Sequence, residues 1–228
     1  MKNLKKYRKK ELSYYIIANI AMLLLLSDFF HFSQFEIQII EIISNFIKIS
    51  IISSIIYVLT FIADGLFSSE LKIKLIGGHS PGEKIFSKIQ NSTFDERFTC
   101  EEAQKIYSKI YESLPKEKKD KFRFENAEWY KIYNKYRENI MIKVSNRDFL
   151  LCRDIYFSTI VNIIIYLGLT FVFKKIVFDW RYIGYLTLML ILSNIGTRNK
   201  GSRLVNNVIA VDIANYKETQ RMKENNHG

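Results

Sequence analysis

Cysteine, histidine and proline are scarce in this chain, and each scarcity removes a class of explanation. The two cysteines, Cys100 and Cys152, are too few and too isolated for a disulfide framework or a zinc site, and read as cytoplasmic thiols. The three histidines, His31, His79 and His227, form no cluster with Cys or Asp at metal-ligand spacing. No nucleophile elbow or kinase-like loop occurs. The carboxylates of the middle segment are interleaved with lysines, as on a solvated helix face. The chain is therefore read as no enzyme, with no cofactor. The two prolines, Pro81 and Pro115, mark a helix start and a helix stop.

Charge and apolarity are plentiful but kept apart. The 228 residues carry a net charge of +11, and 48% are hydrophobic. Apolar residues gather in two blocks, about 12–67 and 155–195, each long enough for two membrane spans of roughly 20 residues. The spans are 12–32, 46–67, 155–173 and 180–196. The expected fold is all-α, with four transmembrane helices as two hairpins flanking a helical cytoplasmic insert. Its parts are a basic N-terminus (1–11), a first hairpin (12–67), a cytoplasmic helical domain (68–154), a second hairpin (155–196) and a C-terminal helix and tail (197–228).

Lysine and arginine set the orientation. Lys2, Lys5, Lys6, Arg8, Lys9 and Lys10 precede the first span, which reads as an uncleaved anchor. The loop after it has Glu36 and Glu41 but no Lys or Arg. Arg198, Lys200 and Arg203 follow the fourth span. Both termini and the insert are thus expected on the cytoplasmic side of a bacterial inner membrane. Lys174, Lys175 and Arg181 oppose this assignment, but can snorkel to headgroups.

The insert is basic, with 18 Lys/Arg against 13 Asp/Glu over 70–153. Thr99 and Glu102 form a capping box. Ala103, Ile106, Tyr107, Ile110, Tyr111 and Leu114 then recur on one face, as do Trp129, Ile132, Tyr133, Tyr136 and Ile140. Ser145 and Asp148 form another cap pattern, and the helix there is expected to run into the third span. Leu204, Val208 and Val211 place a C-terminal helix back on the insert. "GGHSPGEKIF" lacks the preceding strand and Gly-Lys-Ser/Thr ending of a phosphate loop. It reads as an elbow: Gly77 and Gly78 release the chain, and Ser80, Pro81 and Glu83 cap the next helix. The N–H groups at that helix start also offer a seat for an anion. The expected anion site joins Arg147 and Arg153 to Lys131, Arg137 or Lys84, with Tyr130, off the apolar face, as the aromatic contact.

Within the second span, Ser50, Ser53, Tyr57, Thr60 and Asp64 share one narrow face. Two readings stand: interhelical hydrogen bonding, or a pore lining with Asp64 as a charged ring. A weaker stripe in the third span, Ser158, Asn162, Tyr166 and Thr170, suits helix packing better. Four helices enclose no wide pore alone, so conduction requires a homo-oligomer.

The hairpin–insert–hairpin plan, "GGHSPGEKIF", "ENAEWYKIYNKYREN" and "RDFLLCRD" together resemble small bacterial tetraspan membrane effectors of nucleotide-signalling anti-phage systems, of the Hailong, CBASS and Pycsar classes. The likeness covers about 70–216, and no ligand signature carries over residue by residue. It implies a cytoplasmic domain that senses a nucleotide or single-stranded oligonucleotide, a membrane part that disrupts the inner membrane, and a partner nucleotidyltransferase. The expected function is a ligand-gated channel or pore. The alternative is a membrane-anchored adaptor or scaffold that binds an acidic partner without conduction.

Overall fold

The computed structural model describes residues 2–26, 66–76, 80–91, 95–172, 174 and 177–225, together with Ser54, Val58, Leu59 and Ile62. Among these every regular element is helical. The helices are α1 (Lys2–Leu26), α2 (Ser69–Leu75), α3 (Ile85–Asn91), α4 (Cys100–Ile106), α5 (Ser108–Glu112), α6 (Lys118–Tyr136), α7 (Ile140–Leu167) and α8 (Trp180–Asn225). A wide π turn, Gly168–Val172, extends α7. The chain divides into two compact units, one from 1–76 with 150–197 and the other from 77–149 with 198–228.

The first unit is apolar outside. Ile164, Phe171, Val172 and Val177 are exposed, and α8 presents Leu188, Ile191, Leu192 and Ile195 on one face, each about half exposed. Several polar side chains lie inside it: Asn19, Ser158, Thr159, Asn162, Thr170, Ser193 and Thr197 are buried, while the exposed polar residues, Glu70, Lys74, Lys174 and Arg181 among them, lie towards the ends of the apolar segments. Asn19, Thr159, Ser193 and Thr197 hydrogen-bond locally or between helices, whereas Thr170 Oγ1 and Asn162 Nδ2 have no partner among the described residues. Tyr15 on α1 meets Thr159 on α7 at 2.7 Å, and Ser193 and Thr197 donate to the carbonyls of Met189 and Ser193 one turn back. The third-span stripe, Ser158, Asn162, Tyr166 and Thr170, is wholly buried, in keeping with helix packing. Tyr166, Tyr182 and Leu186 form a core cluster into which Leu23 packs.

Helix α2 is fastened at both ends. Ser68 caps its start, accepting from the Leu71 N–H at 3.2 Å. At its end the Leu75 carbonyl accepts from Tyr156 at 3.0 Å and the Ile76 carbonyl from Asn194 at 2.9 Å, so carbonyls without an intrahelical partner are satisfied by side chains. Among the described residues only Ile140–Val172 is long and apolar enough to cross a membrane, with a mean hydropathy of 2.0 in its most apolar stretch. The first span is described only as far as Leu26. The fourth is diluted by Arg181 and Asn194.

The second unit is built conventionally, with apolar residues inside. Phe86, Ala103, Tyr107, Trp129, Ile142, Leu204, Val208 and Ile209 are buried. The Thr99–Glu102 capping box is present, and Glu102 also pairs with Lys217 of α8 at 2.5 Å. Tyr107 donates to Asp212 at 2.9 Å, and Asn207 donates to Ser145 at 2.6 Å. The C-terminal half of α8 thus packs on the helical domain through Leu204, Val208 and Val211, as its spacing implied. It is one continuous helix with the fourth apolar segment.

Three local expectations are corrected. Ser80 and Glu83 do not form the cap of a helix: residues 81–84 make a turn, Lys84 takes the left-handed conformation (φ 66°), and α3 begins only at Ile85. The turn is held from outside, because Asn126 accepts the Gly82 N–H at 3.2 Å. Ser145 and Asp148 cap nothing, since α7 starts at Ile140. Ser145 instead sits mid-helix, bonding back to the Met141 carbonyl and across to Asn207. Ile140 is 79% exposed, because α6 ends at Tyr136 and the apolar face of that helix does not continue into α7.

Candidate functional site

Helix α3 and the start of α6 carry lysines that line one open cleft. Lys84, in the turn before α3, and Lys88 come from the first; Lys116, just ahead of α6, Lys118 and Lys121 come from the second, with Phe122 and Ser87 also at its wall. The cleft measures about 530 Å³. Lys116, Lys118 and Lys121 make no ion pair among the described residues. The ammonium of Lys84 lies 4.7 Å from the centre of the Phe122 ring.

The charge placement runs against helix stability. A helix start carries a partial positive charge and favours carboxylates. The first turns of α6 instead hold Lys118 and Lys121 beside a single first-turn acid, Asp120, and Glu117 makes no side-chain cap. Like charges gathered at a positive helix end raise one another's energy unless an anion lies among them. Lys84 adds a second local cost, since a left-handed backbone disfavours any residue with a Cβ by about 1–2 kcal/mol. Such departures from local rules concentrate where a site is built.

The start of α3 is not itself the anion seat. The buried carboxylate of Glu125 on α6 already occupies it, accepting from the Phe86 N–H at 3.0 Å, the Ser87 N–H at 3.2 Å and the Ser87 hydroxyl. Glu125 therefore satisfies donors that an α-helix leaves open. Beside it the chain approaches α6 so closely that a Cβ on Gly82 would lie 2.6 Å from Trp129 Cβ and 2.8 Å from Cγ. Glycine is required at that position for room. Together, Glu125, Asn126 and Trp129 clamp residues 82–87 onto α6 and set the wall of the cleft that carries Lys84 and Lys88.

Of the residues assigned to the anion site from sequence, Lys84 lies in this cleft. The others have carboxylate partners or lie elsewhere. Lys131 pairs with Glu128 at 2.5 Å, Arg137 approaches Glu138 at 3.9 Å, and Arg147 pairs with Asp148 at 2.7 Å. Arg153 belongs to the apolar unit, where it is buried against Asp154 at 3.0 Å. Tyr130 is exposed, with its ring edge-on to Trp129 at 5.1 Å. Tyr107 is core: burial, and then the neighbouring Asp212 carboxylate, push its phenol far above the usual range. Sequence reading missed Lys88, Lys116, Lys118 and Lys121. The available signal was the run "PKEKKDKF" together with lysines at 84 and 88.

Pro81 lies in the turn before α3. Gly77, Gly78 and the second-span face of Ser50, Ser53, Tyr57, Thr60 and Asp64 lie outside the described residues, as do Glu36, Glu41, His31, His79 and His227. A scan against protein-family models, a search of curated proteins and a search of solved structures each found no match to this chain.

Proposed function

We propose that this chain is an oligomeric membrane effector, a ligand-gated channel or pore whose basic helical domain receives an anionic signal in bacterial defence against phage. The observation that carries the reading is the opposite placement of polarity in the two units. One buries Asn19, Ser158, Asn162 and Thr170 and exposes Ile, Leu, Val and Phe; the other gathers five lysines around an open cleft. Polar side chains inside and apolar ones outside suit a lipid surround, where interior hydroxyls and amides link helices. A lysine cleft suits an anionic ligand, here a nucleotide or oligonucleotide made by a partner nucleotidyltransferase.

In this reading four helices cross the inner membrane as two hairpins, and the basic N-terminus, the helical domain and the C-terminal tail face the cytoplasm. The polar face of the second span, from Ser50 to Asp64, lines the shared axis of a homo-oligomer. A ring of Asp64 carboxylates favours cations. The test is expression in bacteria with a membrane-potential dye, with and without a candidate nucleotide pool. Depolarisation is expected from the wild type when the pool is present, with loss in Thr60→Phe and reduced cation preference in Asp64→Asn. Depolarisation that is absent with the pool present, or unchanged in both variants, refutes the pore.

A further inference from the structure

Resting on the anion-sensing reading, we infer that the lysine cleft recognises a soluble ligand with two or more phosphates through those phosphates and is indifferent to the base. Five of its seven lining residues are lysines. An ammonium is a compact, strongly hydrated charge that attracts phosphate from many directions. No Arg fork, amide or carboxylate is among the described residues that line the cleft, so nothing there matches the donor and acceptor pattern of a base edge. The single hydroxyl, on Ser87, already donates to Glu125. The single aromatic, Phe122, has the Lys84 ammonium over its ring, which occupies a face on which a base would stack. At about 530 Å³ the open cleft exceeds what one phosphate fills. Two lysines come from the turn before α3 and from α3, and three from residues 116–121 at the start of α6, so two separate segments supply charge to a chain of phosphates.

The same phosphate chemistry is offered by lipid headgroups, and the experiment separates the two sources. Full-length protein in phosphatidylcholine nanodiscs is loaded with fluorescent ATP, which is displaced by AMP, ADP, ATP, GTP, inorganic tripolyphosphate or phosphatidylglycerol vesicles. Displacement is expected to strengthen with phosphate number, to be equal for GTP and ATP, and to be at least as strong for tripolyphosphate. Affinity should fall steeply with salt. Lys118→Glu with Lys121→Glu should weaken binding by about tenfold or more. Lys84→Gly should also weaken it while leaving the melting temperature unchanged or raised, because glycine suits the left-handed backbone. Lys131→Glu should leave binding as it was.

AMP matching ATP, a wide gap between ATP and GTP, or no binding at low salt would each overturn the inference. So would an unchanged affinity in the Lys118/Lys121 variant. Displacement by phosphatidylglycerol vesicles but not by tripolyphosphate would assign the cleft to the membrane surface instead. Binding without depolarisation would sink the channel reading and leave this one standing.

Discussion

The two units of this protein solve opposite solvation problems with the same secondary structure. In the helical domain, apolar side chains face inward and the exposed positions are mostly charged. In the other unit the exposed face of α8 is Leu188, Ile191, Leu192 and Ile195, while Ser193 and Thr197 of the same helix are buried. Helix α8 passes from one regime to the other along its 46 residues, with Leu204, Val208 and Ile209 buried further on. Helix formation is therefore common to both units and tells nothing about surroundings. Which side of the helix is polar does.

The largest expected effect tests whether the exposed apolar face is a lipid face. Leu188→Arg with Ile191→Arg should abolish membrane integration of this segment, at about 2.5–3.5 kcal/mol for an arginine at its centre. Tyr130→Arg with Met222→Arg, exposed apolar positions of the helical domain, should leave integration unchanged. Fractionation and alkaline extraction of both variants read this directly. Equal behaviour of the two pairs would erase the distinction between the units.

A smaller effect tests the clamp beneath the cleft. Gly82→Ala puts a methyl group into Trp129 and should destabilise the helical domain by about 1–3 kcal/mol. Proteolysis should then begin in 77–149 before it reaches the apolar helices. An Ala variant as resistant as the wild type would mean that the turn moves away from α6 without cost.

The smallest effect is electrostatic. The Lys217 ammonium, and then the Thr99 N–H, hold the Glu102 carboxylate below its ordinary range. Its contribution to stability is present above the unfolded value, near 4.3, and fades as pH falls through the lower folded value. Glu102→Gln keeps a capping box but loses the ion pair. Its melting temperature should therefore lie slightly below wild type at pH 7, and the difference should narrow as pH falls through the lowered folded value. A gap that persists at low pH would mean that packing at this position, rather than charge, produces it.

Much of this architecture was legible because it is local. The Thr99–Glu102 box closes within four residues. Trp129 and Tyr107 announce buried faces by their spacing, Tyr130 falls off that face, and Leu204, Val208 and Val211 mark the docking side of α8. The run from α7 into the π turn, Ile140–Val172, is apolar enough to stand out in any setting. Period and composition report on one helix and its own faces, and here they did so well.

What they cannot report is which helices meet. Ser80 and Glu83 have the letters of a cap, yet the donors at the start of α3 go to Glu125, about forty positions along the chain. Ser145 has the letters of a cap and instead meets Asn207. Arg147 and Arg153 are neighbours in sequence and belong to different units, each drawn to the aspartate beside it. Lys84 and Lys88 stand far in sequence from Lys116, Lys118 and Lys121, and one cleft collects all five because Gly82 lets the turn lie flat on Trp129. The sequence alone determined the helical character, the cap of α4 and the two kinds of surface, since these depend on residues within a turn or two. Tertiary structure alone decided the cleft, because side chains about thirty residues apart share a wall only when the elements that carry them are packed together.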